Sequence, residues 1–466
     1  MAETTIRVAR TVPQVHDVLA AIREASRRLQ VDASLVGGFV RDRLLGNEDK
    51  DIDLLVVGDG AVELLAALAR GFDWAPPQVF ERFGTAQVRG DGFVVEAVRA
   101  RAERYDPASR KPEVTPGTLE EDVWRRDFTV NALVQTLDGA VVDVTGRGLA
   151  DLYAGVLRTP LDARDTFSED PLRIYRAARF VAQLGFELAP GVLDAMRDVA
   201  PRAAILSVER VAEELRRLLT SAHPRAGMEV LRHSGLMPVH LPELLEMVGV
   251  EQSGYHVYDV YDHTMAALEE APRDLLTRVA VLLHDVGKPR THALAPDGRH
   301  TFHDHPELGA RMSEQILQRL RFGNAEIDDV CALVRMHLRP IQYDPRTFSD
   351  AAVRRLMRDA GPLRDRLLDV ARADTRASAF PDTDGIDELE QRMARLDAEL
   401  GGPSPFDSPL DGEAIMALAG GRRPGPWVGA AKRALSDAVV EGEVAPGDAV
   451  AATAWLLAHP ELLDAP

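Results

Sequence analysis

The stretch that most limits how this chain can fold is VGGFVRDRLLGNEDKDIDLLVV, residues 36–57, where two structural periods meet across a glycine pair. SLV ahead of Gly37-Gly38 reads as a short strand running into a turn, FVRDRLLG as a short helix ending at Gly46, and IDLLVV as a buried strand. Asp51 and Asp53 flank Ile52 at the start of that second strand. Alternation along a strand puts both carboxylates on one face and Ile52 on the other. Two anions on one face are costly unless a divalent cation neutralises them. Mg²⁺ favours such oxygen ligands and completes its shell with waters and phosphates. Gly37 and Gly38 leave backbone N–H groups open where the helix begins, which suits a triphosphate. An Asp-x-Asp alone fits a solvated strand edge better. The glycine pair, Arg41-Asp42, Leu44-Leu45-Gly46 and the spacing to Asp51 reverse that preference.

The rest of the N-terminal part mixes both periods. Residues 14–29 place Val15, Val18, Leu19, Ile22 and Leu29 on one side of a helix, and residues 79–98 pair as strands around Asp91-Gly92. From residue 164 onward helical periods dominate, at 170–184, 188–198, 207–219 and 225–234, with further helices through 255–395. Pro/Gly/Ser-rich segments near 402–412 and 420–426 punctuate the end. A length of 466 residues exceeds one typical core, so roughly two to four domains are expected. The first thirty residues lack a signal-peptide core, and no stretch has the ~18 apolar residues of a spanning helix. The single cysteine, Cys331, excludes an internal disulfide framework and a multi-cysteine zinc site. These features point to the cytoplasm. A net charge of −19 argues against broad attraction to nucleic acid, so RNA contact requires local basic groups. Arg125 and Arg126, then Arg173, Arg176 and Arg179, then Arg216 and Arg217 supply such clusters, although taken alone they fit solvated helix faces better.

Three downstream segments carry further chemistry. RRDFTVNAL, Arg125–Leu133, offers Arg126, Asp127 and Asn131 as donors and acceptors for a ribose 2′-OH, and also fits a capped helix. EDPLRIYRAARF, Glu169–Phe180, puts Glu169, Asp170 and Arg173 within one turn of a helix start. Asp accepts from an exocyclic amino group and Arg donates to ring nitrogen or carbonyl, and uracil lacks the amino group that cytosine and adenine share. The same pair also favours the helix dipole, with Arg173 as its partner. SVERVAEELRRLL, Ser207–Leu219, has a Ser207 N-cap, with Arg210 and Glu213 or Glu214 able to bridge turns.

GG-x-VRD-x-LLG followed by D-x-D resembles the head of the DNA polymerase β-like nucleotidyltransferases. With the downstream segments in the same order, the chain is similar to the class II tRNA nucleotidyltransferase and bacterial poly(A) polymerase family. The resemblance implies that Asp51 and Asp53 are catalytic and hold Mg²⁺ for a two-metal displacement. It implies nucleotide binding by Gly37, Gly38, Arg41, Arg126, Asp127, Asn131, Glu169, Asp170, Arg173, Arg176 and Arg179. Glu96, at the end of a strand, is a candidate third carboxylate. DVTGRGLADL, Asp143–Leu152, matches the family's hinge, with glycines giving backbone freedom. The polar, proline-broken segment between Glu96 and Arg125, with its R-K-P-E-V core, looks like the family's flexible loop. That loop is associated with addition of the final A, and a member adding only C is expected to lack it.

A second set of ligand types lies at residues 255–375: His263, His284-Asp285 in LLHDVGKP, His303, His305, His337 and Asp374. A lone histidine is more often a satisfied core residue, whereas an adjacent His-Asp pair with distant His and Asp partners is more specific. The pattern resembles an HD domain, a helical fold that hydrolyses phosphate esters with divalent metals. The resemblance assigns His263, His284, Asp285 and Asp374 to metal, favours His305 in H-x-x-x-G over His303, and gives His337 to a second metal position. The metal's identity is left open, and Lys288 could meet a substrate phosphate. In LDGEAIMALAGGRRPGPWVGAAKRAL, Leu410, Gly412, Gly425, Pro426 and Trp427 match longer relatives. Arg422, Arg423, Lys432 and Arg433 there could grip tRNA, with a surface helix pair as the even alternative.

The expected fold is α+β: a polymerase β-like nucleotidyltransferase head with a small antiparallel or mixed sheet, followed by an all-helical neck, HD-type body and tail. The expected ranges are 1–140, 141–250, 251–375 and 376–466. The expected reaction is attack of a tRNA 3′-OH on the α-phosphate of CTP or ATP, releasing pyrophosphate and completing CCA, with neither DNA nor membrane as partner. An A-adding enzyme or poly(A) polymerase shares every motif quoted. Two rival functions also fit parts of the pattern: an HD hydrolase as the main activity, and a non-catalytic RNA-binding protein.

Overall fold

Residues 36–57 fold as their two periods require: a strand, a positive-φ glycine, a helix and a second strand. The computed structural model describes residues 12–47, 49–80, 84–104, 113–252, 258–400, 406–420 and 422–464. Two compact units result, Met1–Glu214 with Ala226–Val239, and Leu215–Arg225 with His240–Pro466.

The first unit begins with α1 (Val15–Leu29), β1 (Asp32–Val36), α2 (Gly37–Leu44), β2 (Asp51–Val57) and α3 (Ala61–Phe72). Then come β3 (Gln78–Phe80), β4 (Thr85–Gly90), β5 (Phe93–Arg99), β6 (Arg101–Arg104), β7 (Glu113–Pro116), α4 (Leu119–Trp124), β8 (Val134–Thr136) and β9 (Val141–Val142). Seven strands make one mixed sheet, ordered β3-β4-β5-β2-β1-β8-β9, with β2 and β5 parallel and the other pairs antiparallel. The hairpin between β4 and β5 turns on Asp91 and Gly92, both at positive φ, which matches the right-handed strand twist. Val18, Ile22, Leu64 and Leu65 of α1 and α3 are fully buried, whereas Leu29 is exposed at the last turn of α1. The apolar stripe of α1 is therefore one turn shorter than its sequence period.

After the sheet come α5 (Gly148–Ala154), α6 (Ala163–Glu169) and α7 (Leu172–Leu184). The glycines at the entrance to α5 serve two different ends. Gly146 has φ +67°, and a Cβ on Gly148 would lie 2.7 Å from the Thr129 carbonyl oxygen and the Leu133 side chain. The second glycine thus permits close packing rather than freedom.

In the second unit, helices Val260–Glu270, Leu275–Leu283, His305–Arg319, Asn324–Met336 and Arg364–Arg376 pack around a shared interior. Arg278 is buried there and donates to the carbonyls of Leu219, Ser221 and Ala271, satisfying helix-end acceptors. In the tail, Arg422 donates to the Leu463 carbonyl and lies over Trp427, so it is engaged within the fold, while Arg423, Lys432 and Arg433 are exposed. No helix among the described residues is long and apolar enough to cross a membrane.

Candidate functional site

On β2, Asp51 is exposed, Ile52 is buried at 1% exposure and Asp53 is half-buried, as strand alternation requires. The parallel register sets Glu96 of β5 opposite Asp53, so the third carboxylate stands in the same cluster. Burial, then Glu96, push the Asp53 carboxyl up to about 6, with Asp51 and Asp49 adding to the rise and Arg126 opposing it. Crowding of this kind fits a site built for a divalent cation, because the ion supplies the charge that the chain withholds.

Gly37 explains how the turn approaches this cluster. Its φ is +70°, and a Cβ there would lie 3.2 Å from Asp53 Oδ2 and 3.4 Å from Arg126 Nη1. A side chain would be strained and wedged between those two groups. No side chain caps the start of α2, leaving its first N–H groups to the site.

A polar chain leads from α2 to α7. Arg41 forks onto Asp42 with two bonds of 2.8 Å and donates from Nη1 to Asn131 Oδ1 at 2.7 Å. Asn131 Nδ2 donates to Asp127 Oδ1 at 3.0 Å, and Arg176 Nε donates to Asp127 Oδ2 at 2.7 Å. Burial raises the Asp127 pKa, but Arg176 and the Asn131 hydrogen bond outweigh it and hold the carboxyl down at about 2. Arg41, Arg176 and Arg179 all lie over the Phe180 ring, at 5.1, 5.4 and 4.3 Å from its centroid. Arg126 donates to Asp122 and to the Asn131 carbonyl.

At the entrance to α7, Arg173 is buried and donates to the carbonyls of Thr166 (3.2 Å) and Arg125 (2.7 Å) and to Glu169 Oε2 (3.2 Å). Asp170 accepts from Leu172 N and from Arg210 Nη2, each at 3.1 Å. Glu214 pairs with Arg179 at 2.7 Å. Arg210 and Glu214 thus brace α7 from the Val208–Leu219 helix instead of bridging turns of their own helix. The core of the segment resembling a flexible loop, residues 105–112, lies outside the described residues.

In the second unit the histidines and aspartates converge as two triads. His263, His284 and Asp374 form one, and Asp285, His305 and His337 the other, the ligand atoms of each lying within 4.8 Å of one another. The adjacent His284 and Asp285 link the two triads, His284 Nε2 lying 3.2 Å from Asp285 Oδ2. Val281, Phe302 and Val334 carbonyls lie 2.7, 2.8 and 2.7 Å from the Nδ1 atoms of His284, His305 and His337, which turns each Nε2 inward. Buried Asp285 faces His284 Nε2 at 3.2 Å from Oδ2 and His305 Nε2 at 3.3 Å from Oδ1, so the ligand-type atoms of both triads converge on one buried cluster. Burial alone lowers the His284 pKa, but Asp285 and Asp374 raise it to about 9, while burial and His284 push His337 down to about 3. A bound cation would replace the proton on His284. Lys288 Nζ sits 2.6 Å from Asp285 Oδ2, and His303 is exposed outside both triads.

The carboxylate cluster and the histidine–aspartate cluster both lie within segments that match known protein families. Residues 33–158 match the poly A polymerase head domain, 185–247 the probable RNA and SrmB-binding site of polymerase A, and 254–379 the HD domain. An A-adding tRNA nucleotidyltransferase of Deinococcus radiodurans is 37% identical over 432 residues, covering 88% of this chain and 92% of that protein. The chain belongs to the tRNA nucleotidyltransferase family. A CC-adding member from Thermus thermophilus is 34% identical, covering 91% of this chain and 93% of its own length. The crystal structure of the Bacillus stearothermophilus CCA-adding enzyme in complex with CTP superposes with a TM-score of 0.70 and 25% identity, covering 97% and 99% of the two chains. This chain is therefore an enzyme of the nucleotidyltransferase class, with the fold that family uses. Relatives named for A, CC and CCA addition lie at comparable identity, so likeness alone does not choose among them.

Set beside the family's motifs, the structure adds Asp122 and the bracing partners Arg210 and Glu214. Asp122 precedes Arg125 and Arg126 by three and four positions, the spacing at which helix side chains meet, so its pairing was available from sequence. Arg176 pairs with Asp127 across 49 residues and carries no such signal.

Proposed function

We propose that this enzyme adds C, C and A to the 3′ end of tRNA from CTP and ATP, without a nucleic-acid template. The observation that carries the reading is the Asp51, Asp53 and Glu96 cluster facing Gly37 and Arg126, in one unit with the Glu169, Asp170 and Arg173 turn. Asp51 and Asp53 would hold Mg²⁺, which supplies positive charge at the attacking hydroxyl and the leaving phosphate. The open start of α2 takes the triphosphate on backbone N–H groups, and Arg126 supports it from the opposite side. Asp127 and Asn131, fixed by Arg176 and Arg41, offer their remaining hydrogen-bonding capacity to the ribose. Asp170 and Arg173 read the base, accepting from the amino group that cytosine and adenine share and donating to the ring. Rigid bracing by Arg210 and the Arg125 carbonyl pre-orders both groups before the nucleotide arrives.

The polar segment between Glu96 and Arg125 supports A addition over CC addition alone. The Deinococcus relative supports a second reading, addition of the terminal A only. Incubation of tRNA lacking CCA, tRNA lacking only A, and generic RNA with CTP and ATP separately decides among these. CTP incorporation on the first tRNA is expected. Its absence sinks complete CCA addition, and efficient ATP tailing of generic RNA points to a poly(A) polymerase.

The two buried triads support a phosphohydrolase activity in the HD domain. His263, His284, Asp285, His305, His337 and Asp374 would hold divalent metal there, which supplies an activated water, and Lys288 would meet the phosphate. Asp285→Asn is expected to remove metal-dependent phosphoesterase activity by at least ~10²-fold and to leave nucleotide addition unchanged. It should also abolish the rise in Tm that added Mn²⁺, Ni²⁺ or Zn²⁺ gives the native chain. Equal hydrolysis by the variant would show that the triads are structural.

A further inference from the structure

A buried carboxylate, Asp122, stands just ahead of RRDFTVN and touches none of the proposed substrate groups itself. Asp122 lies on α4, whose start is fixed by a reciprocal cap between Thr118 and Glu121. Its side chain is fully buried. Oδ1 accepts from Arg125, from Nε at 3.1 Å and also from Nη2. Oδ2 accepts from Arg126, from Nε at 3.2 Å and from Nη2 at 2.9 Å. One carboxylate thus aims two neighbouring guanidinium groups.

Each arm ends at a different part of the proposed site. Arg126 keeps Nη1 on the Asn131 carbonyl at 3.2 Å and stands against Gly37 and Asp53. Arg125 donates to the Arg101 carbonyl at 3.2 Å, at the start of β6, the first strand of the two-stranded β6–β7 sheet. The carbonyl of Arg125 accepts from Arg173 Nη2 at 2.7 Å. Arg173 is the base-reading candidate, and Arg126 borders the metal-binding carboxylates. An arginine side chain is long and rich in rotamers, so a forked, buried acceptor is what holds it in one pose.

We infer that Asp122 is a positioning residue that couples base selection to turnover. It sets Arg126 beside the reacting phosphate and fixes the carbonyl on which Arg173 is held. The inference rests on the proposed nucleotidyl transfer, and Asp122 itself touches no nucleotide. Removing its charge releases both arms together, so rate and selectivity fall jointly. Loss of a single ligand-binding group would move one of them far more than the other.

The test is steady-state incorporation of CTP, ATP and UTP by Asp122→Asn on tRNA lacking CCA or lacking A. Asparagine keeps the size and loses the charge and one acceptor. The kcat for ATP and CTP is expected to fall by ~10²-fold. Preference over UTP is expected to fall roughly tenfold, with KM for tRNA unchanged. If Asp122 acts through Arg126, adding Arg126→Lys to Asp122→Asn costs no more than the slower single variant. Native UTP discrimination in Asp122→Asn, or multiplicative losses in the double variant, overturns the inference. Where Asp122→Asn does not fold, Arg125→Gln releases one arm alone: increased UTP use supports the coupling and unchanged use contradicts it. A native chain that incorporates nothing fails the proposed function and this inference with it, whereas an active native chain matched by its variant fails only the inference.

Discussion

Asp53→Asn is expected to abolish nucleotide incorporation, by at least ~10³-fold, and yet to make the metal-free protein more stable at pH 8. Both halves follow from one carboxyl. Burial, Glu96 and Asp51 push the Asp53 pKa up to about 6 from its ordinary 3.8. The folded state therefore binds the extra proton between about pH 4 and 6, and stability falls as pH rises through that window. Above it the whole penalty remains, about 2–3 kcal/mol as an upper bound, since the group is half-buried and solvent screens part of it. Asparagine carries no such penalty. Thermal unfolding without divalent ions should show a higher Tm for the variant at pH 8, and the gap should close towards pH 4. Added Mg²⁺ should raise the native Tm and leave the variant's unmoved. A variant less stable than the native chain at pH 8 would place Asp53 in an ordinary structural ion pair. Stability held back at a site where charge is needed is the usual cost of a functional centre.

The second large effect is expected at Arg173. Its guanidinium is bound to two carbonyls and to Glu169, all within the first unit. Arg173→Lys keeps the charge and loses the planar fork, so the proposed base-reading geometry cannot survive intact. Preference for ATP and CTP over UTP and GTP should fall by ~10²-fold, because a site built on hydrogen bonds discriminates by leaving groups unpaired. The kcat for the correct nucleotides should fall less, since Asp51 and Asp53 are untouched. Competition assays with mixed nucleotides read this directly. Undiminished preference would reduce the Glu169, Asp170 and Arg173 turn to a helix entrance with a salt bridge.

Local features of the chain were readable ahead of the structure, and long-range ones were not. Strand alternation gives the opposite burial of Ile52 and its flanking aspartates, because a period of two admits no other arrangement. The Asp91-Gly92 turn follows from the φ values that such a hairpin demands. Glu96 is less visible, since its position opposite Asp53 depends on a parallel pairing between strands that are not consecutive in the chain. The gathering of His263, His305, His337 and Asp374 around His284 and Asp285 is set by where those four residues arrive from distant helices, which spacing along one helix does not encode. The reach of Arg210 to Asp170, across 40 residues, is of the same kind. Gly148 is a different case. Its sequence suggests freedom, and only the neighbouring Thr129 carbonyl reveals that it is there for lack of space.

The most direct test of the account is the 3′-terminal sequence of a tRNA that initially lacks CCA, after incubation with the native chain, Mg²⁺, CTP and ATP. The account predicts molecules ending in CCA and no further, with Asp51→Asn and Asp53→Asn leaving the tRNA unextended. Unextended tRNA with the native chain, or extension that survives loss of both aspartates, would contradict it.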